Sequence, residues 1–152
     1  MKTIIMKTLA AGIVAIMFFT SCAKKGCTDG DATNFCDKCK KDDGSCTYNG
    51  KLVFWWSKSF ADSCAANSVT AVKVYADGAF QGTLAVSSQY WTSTPGCGAN
   101  STITVSRDLG KSKTKGIGLA YTYTIGGVES AMLGQETLTL AANTCISYQL
   151  TW

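Results

Sequence analysis

In residues 119–125, LAYTYTI, the large side chains of Leu119, Tyr121, Tyr123 and Ile125 alternate with smaller ones. Successive side chains of a β-strand point to opposite faces of the sheet, so a period of two is typical of a strand with one buried face. The segment therefore predicts a half-buried strand.

The rest of the second half of the chain repeats this pattern. Asp77-Gly78 adds a hairpin signal, because glycine tolerates the positive φ that a tight turn requires. No stretch after the first 21 residues shows a convincing helical period. Residues 51–152 are therefore predicted to be all-β, an antiparallel β-sandwich of about seven strands. The further strand segments are 51–57, 69–75, 102–106, 137–140 and 146–152.

The first 21 residues have the layout of a secretory signal. Lys2 and Lys7 precede an uncharged apolar run at residues 9–19, and Thr20-Ser21 follows it. A helix needs roughly 20 apolar residues to span a bilayer, which makes a permanent transmembrane helix the weaker interpretation. Residues 1–21 are therefore predicted to be a cleaved signal peptide.

The end of this segment, Phe19-Thr20-Ser21-Cys22, resembles the lipobox of bacterial lipoproteins. In that family the cysteine receives a diacylglycerol, the signal is cut before it and the new amino terminus is acylated. The resemblance implies that Cys22 anchors the chain to a membrane of the bacterial cell envelope, with the outer membrane expected, facing the periplasm or the exterior. Several acyl chains anchor a protein stably, whereas one does so only marginally. The alternative is simple cleavage to a soluble secreted protein.

Residues 22–25 are predicted to be a short polar tether, and residues 26–48 a cysteine-rich module with few aliphatic side chains. Gly26-Cys27-Thr28-Asp29, Ala32-Thr33-Asn34-Phe35 and Asp42-Asp43-Gly44-Ser45-Cys46 together resemble a short cysteine-bounded repeat of bacterial secreted and surface proteins. The resemblance implies a disulfide between Cys27 and Cys46. Cys36 and Cys39 are interpreted as a second, local disulfide.

Three other functions compete with a disulfide-stapled spacer in this module. Calcium is one of them, although an EF-hand loop is excluded by the spacing of the acidic residues. Zinc bound by four thiolates has only one C-x-x-C pair in its favour, and export favours oxidation. A thioredoxin-like role of Cys36 and Cys39 would need a βαβ unit. The spacer is the preferred interpretation. The calcium hypothesis rests on Asp29, Asp31, Asp42 and Asp43.

Within residues 51–152, the hairpin segment 72–84 resembles small extracytoplasmic β-sandwich modules, which implies an immunoglobulin-like or transthyretin-like sandwich. Such a resemblance implies no reaction. Cys97 and Cys145 are the favoured disulfide pair, which leaves Cys64 over. A bridge from Cys64 to either of them stays open, because spacing does not determine connectivity.

The composition argues against catalysis and against nucleic-acid binding. Histidine is absent, which removes the commonest general base. No nucleophile–base motif or facing carboxylate pair is evident, so the protein is predicted not to be an enzyme. Without Lys2 and Lys7 the chain has a net charge near +2, and the short run of Lys111, Lys113 and Lys115 is interpreted as a solvated loop.

The leading hypothesis is a non-catalytic envelope lipoprotein that presents a β-sandwich for binding or structural use. One alternative is a glycan-binding module, because at least one ring of residues 54–56 must face outward and Tyr90 and Trp91 lie in a long loop. The candidate ligand-binding residues are Trp91, Tyr90 and Trp56, whereas Trp55 and Trp152 are expected in the core. The other alternative is a calcium-stabilised adhesion module. A glycan or protein ligand is expected, and no cofactor other than calcium.

Overall fold

The computed structural model describes residues 23–86 and 90–152 of the 152-residue chain. The predicted signal peptide and the predicted lipidation site at Cys22 lie outside the described residues. Within the described part no helix has both the length and the apolar character needed to cross a bilayer. The elements in chain order are β1 (Tyr48–Trp56), α1 (Lys58–Ala66), β2 (Val69–Ala76), β3 (Ala79–Ala85), β4 (Ile103–Gly110), β5 (Thr114–Ile125), β6 (Val128–Glu129), β7 (Leu133–Ala141) and β8 (Cys145–Leu150).

The strands form two sheets in a sandwich-like arrangement, which confirms the all-β prediction. One sheet has the order β4-β1-β8, and the other has the order β3-β2-β5 with β6 and β7 both paired to the far side of β5. The pairing of β1 with β8 is parallel, whereas the other pairings of the described strands are antiparallel.

The buried core lies between the sheets and follows the alternation of the strands. In β5, Ile117, Leu119 and Tyr123 are buried in the core. In β1, Phe54 and Trp56 belong to the same core. Apolar side chains at every second position thus stabilise the sandwich by removing hydrocarbon from water.

One element was absent from the sequence prediction. Residues Lys58–Ala66 form a helix that buries only Phe60 and Cys64. Two apolar residues four positions apart are a single helical repeat, too short for periodicity to reveal. Cys64 is the free cysteine among the described residues, as the favoured pairing predicted.

The aromatic run at residues 54–56 differs from its prediction. Trp55 is only 8% exposed, so it is buried as expected, although it is not part of the core cluster that contains Phe54 and Trp56. Trp56, a predicted ligand-binding residue, is 3% exposed and its ring lies 5.8 Å from that of Phe60. The expectation of an outward ring was therefore wrong, because both faces of β1 are covered.

Three contacts fix the loop that follows residue 90 to the sheet that contains β1. The Cys97–Cys145 disulfide joins the loop after residue 90 to β8. Gly98 N donates to Thr104 Oγ1 at 2.8 Å, and Trp91 N donates to the carbonyl oxygen of Trp56 at 2.9 Å. These contacts hold the loop against the β4-β1-β8 sheet.

Trp152 is also placed differently from the prediction. Strand β8 ends at Leu150, so the alternation of residues 146–152 does not continue to Trp152, which is 57% exposed. Its ring stacks on Tyr123 at 5.1 Å between centroids, with 9° between the planes.

Candidate functional site

The cysteine-rich module is built from two disulfides and a set of side-chain-to-backbone hydrogen bonds. Cys27 is bonded to Cys46, and Cys36 to Cys39, which are the predicted pairs. The amide of Asn34 donates to Ser45 O at 2.7 Å and accepts from Thr47 N at 2.9 Å. The Asn34 side chain thus bonds one backbone donor and one backbone acceptor, in a region where little apolar area is buried.

The start of the module does not form a free tether. Lys25 forms a parallel bridge with Lys41, and Lys40 N donates to the carbonyl oxygen of Lys24 at 3.0 Å. Gly26 N donates to Lys41 O at 3.1 Å. The segment predicted to be a polar tether is therefore bonded into the module from Lys24 onward.

The four aspartates of the calcium hypothesis make two different sets of contacts. Asp42 and Asp43 accept from the backbone N–H groups of Gly44 and Ser45, at 2.9 and 3.0 Å. These are turn-forming contacts, and the hydrogen bond from Ser45 lowers the pKa of Asp43. Among residues 23–86 and 90–152, no three acidic or sulfur side chains form a group that would hold a metal ion.

Asp29 and Asp31 instead connect the module to the sandwich through Lys113. Lys113 Nζ lies 2.7 Å from Asp29 Oδ2 and 3.2 Å from Asp31 Oδ2. The hydroxyl of Tyr48 donates to Asp29 Oδ2 at 2.9 Å, and Lys113 Nζ lies 5.7 Å from the Tyr48 ring centroid. We call these four residues the junction network. The interpretation of residues 111–115 as merely a solvated loop was wrong for Lys113.

The electrostatics of the junction network are those of a structural contact. Hydrogen bonding from Lys113 lowers the pKa of Asp29, and the same carboxylate raises the pKa of Lys113. Burial, followed by the hydrogen bond to Asp29, raises the pKa of Tyr48. All three groups therefore keep their ordinary charge near neutral pH.

A cleft of about 530 Å³ lies beside this network, between the module and the sandwich. Asp31 and Thr33 of the module line it together with Asn49 and Lys51 of β1. Asn143 and both cysteines of the Cys97–Cys145 disulfide also belong to the lining. Its size suits a small ligand. Its lining offers carboxylate, amide, hydroxyl and ammonium groups, which are suited to polar ligands.

The predicted aromatic surface is only partly assembled. Tyr90 is 48% exposed, and Lys58 Nζ lies 5.9 Å from its ring centroid. Trp91 is partly buried, with its backbone bonded to Trp56. With Trp56 in the core, the three residues do not share one surface. Sequence reasoning missed the exposed Trp152.

A polar cluster on the five-stranded sheet was also missed. Glu129 accepts hydrogen bonds from Lys73, from Tyr75 Oη at 2.6 Å and from Thr122 Oγ1 at 2.7 Å. These bonds, the one from Lys73 first, lower the pKa of Glu129 to about 2. Lys73 and Thr122 are opposite each other in the register of β2 and β5, a relation that spacing along the chain does not reveal.

The free thiol of Cys64 is not an activated nucleophile. Its side chain is fully buried in the core, and burial raises its pKa to about 11. A reactive cysteine needs a thiolate stabilised by a nearby positive charge, with access to solvent.

Comparison of the chain with protein-family models, curated proteins and solved structures gives no match.

Proposed function

We propose that the protein is a non-catalytic lipoprotein of the bacterial cell envelope, in which the cysteine-rich module carries a β-sandwich as one rigid unit close to the membrane. The observation that carries the proposal is the bonding of the chain into the module from Lys24 onward. An anchor on Cys22 would be separated from folded structure by Ala23 alone. The sandwich would then be held at a fixed distance from the lipid.

The continuity of the buried core supports a rigid unit. Cys27, Ala32 and Cys46 of the module belong to the same buried cluster as Tyr48 and the sandwich core. The junction network adds polar contacts between the two parts. Motion between module and sandwich would break both kinds of contact.

The disulfides and the titratable groups support export and the absence of catalysis. Disulfides persist in oxidising compartments and are rare in the cytosol. The shifted groups have structural explanations: Glu129 stays ionised in its hydrogen bonds, and Cys64 stays protonated in the core. The finer assignment of the sandwich as immunoglobulin-like or transthyretin-like is part of the proposal, supported by the two packed sheets.

The anchor is tested by the intact mass of the protein from the membrane fraction of its native host. We expect a chain that begins at Cys22, carries acyl groups and retains three disulfides. Cys22→Ala should abolish acylation, whereas the matched control Cys64→Ala should leave it unchanged. A soluble wild-type protein with an unmodified Cys22 would refute the proposal.

A second candidate function is glycan binding, favoured by the exposed ring of Tyr90 and by the polar cleft. Aromatic rings stack on sugars, and amide and carboxylate groups bond their hydroxyls. A glycan array with wild type, Tyr90→Ala and Asn143→Ala separates the two surfaces. Loss in one variant alone identifies the surface, and an array without wild-type binding removes this candidate.

A further inference from the structure

Five lysines lie at the end of the module where the chain enters it. The hydrogen bonds between residues 24–26 and 40–41 bring two lysine pairs side by side, and the local disulfide loop adds one more. All five are exposed. We call them the lysine patch, which consists of Lys24, Lys25, Lys38, Lys40 and Lys41.

The lysines of the patch differ from several other lysines in forming no salt bridge among the described residues. Lys58, Lys73 and Lys113 each form a salt bridge with a carboxylate. No lysine of the patch forms one with another residue in the described part of the chain.

The nearby carboxylates offset only part of the charge of the lysine patch. The carboxylates of Asp42 and Asp43 accept hydrogen bonds from backbone N–H groups in turns. The positive charge of Lys25 also contributes to lowering the pKa of Asp43. Residues 24–43 contain five lysines and five aspartates, but Asp29 and Asp31 contact Lys113 instead of the patch. Asp37, Asp42 and Asp43 then oppose the five lysines, which leaves the patch with a local excess of two positive charges.

The patch is held in a fixed shape. A Cβ placed on Gly26 would lie 2.6 Å from Cys39 Sγ, so the entering chain packs directly against the Cys36–Cys39 disulfide. Cys39 N also donates to Cys36 O at 3.0 Å, which closes the turn that carries Lys38. The lysines therefore present a surface rather than a flexible tail.

We propose that the lysine patch binds the anionic headgroups of the phospholipid leaflet that receives the anchor, and so fixes the orientation of the module on the membrane. The proposal rests on the proposed lipid anchor for the position of the patch. Ammonium groups beside a membrane are attracted to its negative surface potential.

The attraction has a measurable size. Each lysine close to an anionic surface strengthens binding roughly fivefold, so the local excess of two positive charges corresponds to about 25-fold. This gain depends on salt, because ions screen interactions between exposed charges.

The experiment uses the full mature protein isolated from host membranes, inserted into vesicles of phosphatidylcholine alone or of equal parts phosphatidylcholine and phosphatidylglycerol. Each lysine is acetylated in a time course and scored by mass spectrometry. We expect the patch to be protected on anionic vesicles only, and protection to disappear at high salt. The control lysines, Lys51 and Lys111, are exposed and should react equally on both vesicles.

A charge variant makes the test quantitative. Replacing Lys24 and Lys40 of the patch with glutamine should speed transfer out of anionic vesicles by about 25-fold, and leave transfer from neutral vesicles unchanged. The matched variant with Lys51→Gln and Lys111→Gln should behave as wild type. Both variants should retain the wild-type melting temperature.

The results of these experiments distinguish headgroup binding by the lysine patch from acylation of Cys22. Equal labelling on both vesicle types, or protection by soluble polyphosphate but not by anionic vesicles, would overturn it. The second of these results would indicate an acidic polymer as the ligand. If the mass shows no acylation, salt-sensitive protection on anionic vesicles would still support the patch while refuting the anchor.

Discussion

The module at residues 23–47 and the sandwich that begins at Tyr48 are folded by different forces within one continuous structure. In the module, the buried apolar side chains are Cys27, Ala32 and Cys46, two of which are bonded to each other. In the sandwich, large side chains such as Phe54 and Leu52 are completely buried. Cross-links replace the apolar core in the first region, whereas ordinary core packing stabilises the second.

The difference follows from size. A segment of this length cannot bury enough apolar surface to offset its conformational entropy, so small folds rely on disulfides or metals. The comparison predicts that core mutations unfold the sandwich, whereas cysteine mutations unfold only the module.

The largest effect is expected for Phe54→Ala. Phe54 is fully buried, and its ring contacts Tyr148 edge-to-face at 5.8 Å. Its loss should lower the free energy of unfolding by about 3–5 kcal/mol, from lost burial and the cavity left behind. Urea unfolding under non-reducing conditions measures the change. Phe35→Ala, at an exposed site of the module, should leave the unfolding midpoint near that of wild type.

Replacing Cys27 and Cys46 together with serine should come next. Opening this loop removes about 3 kcal/mol in the chain-entropy model, and the loss should stay within the module. Hydrogen exchange should accelerate at residues 27–47, while alkylation of buried Cys64 stays as slow as in wild type. Fast alkylation of Cys64 would show that the module also stabilises the sandwich.

The packing of Gly26 on the local disulfide gives a smaller, specific test. Gly26→Ala would place its Cβ 2.6 Å from Cys39 Sγ, and such overpacking costs about 1–3 kcal/mol. The effect should shrink when Cys36 and Cys39 are both serine. Gly30→Ala is the matched control, since nothing lies within 4 Å of its added methyl group. Equal effects of the two glycine variants would contradict the proposed contact.

The smallest effect is expected from acid, which should remove the contribution of Glu129 to the stability of the sandwich. Glu129 has a pKa of about 2 in the fold, against an ordinary value of 4.5. A carboxylate whose pKa is lowered by folding stabilises the fold fully above its ordinary pKa, and loses that contribution as pH falls toward about 2. Melting temperatures of wild type and Glu129→Gln should therefore converge as pH falls through this window. Parallel curves would contradict the assignment.

The sequence predicted what depends on neighbours along the chain. Alternation at Tyr121 and Tyr123 identified β5, and Asp77-Gly78 correctly marked the turn between β2 and β3. The sequence prediction failed where segments distant along the chain determine whether a side chain is buried. Trp55 is buried although it lies on the face of β1 opposite Phe54 and Trp56, and nothing near residue 55 reveals that burial.

The candidate site was predictable to a similar degree. The cysteine pairs of the module followed from the resemblance and from local spacing. The junction network joins Asp29 to Lys113 across more than half of the chain, and the cleft beside it exists only in three dimensions. The sequence around Asn143 contains no pattern that predicts its position in the lining of the cleft.

The parallel pairing of β1 with β8 sets the order in which the sandwich is completed. β1 occupies the middle of its sheet, yet one edge has no partner until residues 145–150 have left the ribosome. In a nascent chain that ends before β8, part of the backbone hydrogen-bonding groups of β1 is unpaired. Closing so long a loop is entropically costly and slows folding. Under the proposed export this delay would be useful, because a polypeptide that folds late can still pass through a translocation pore.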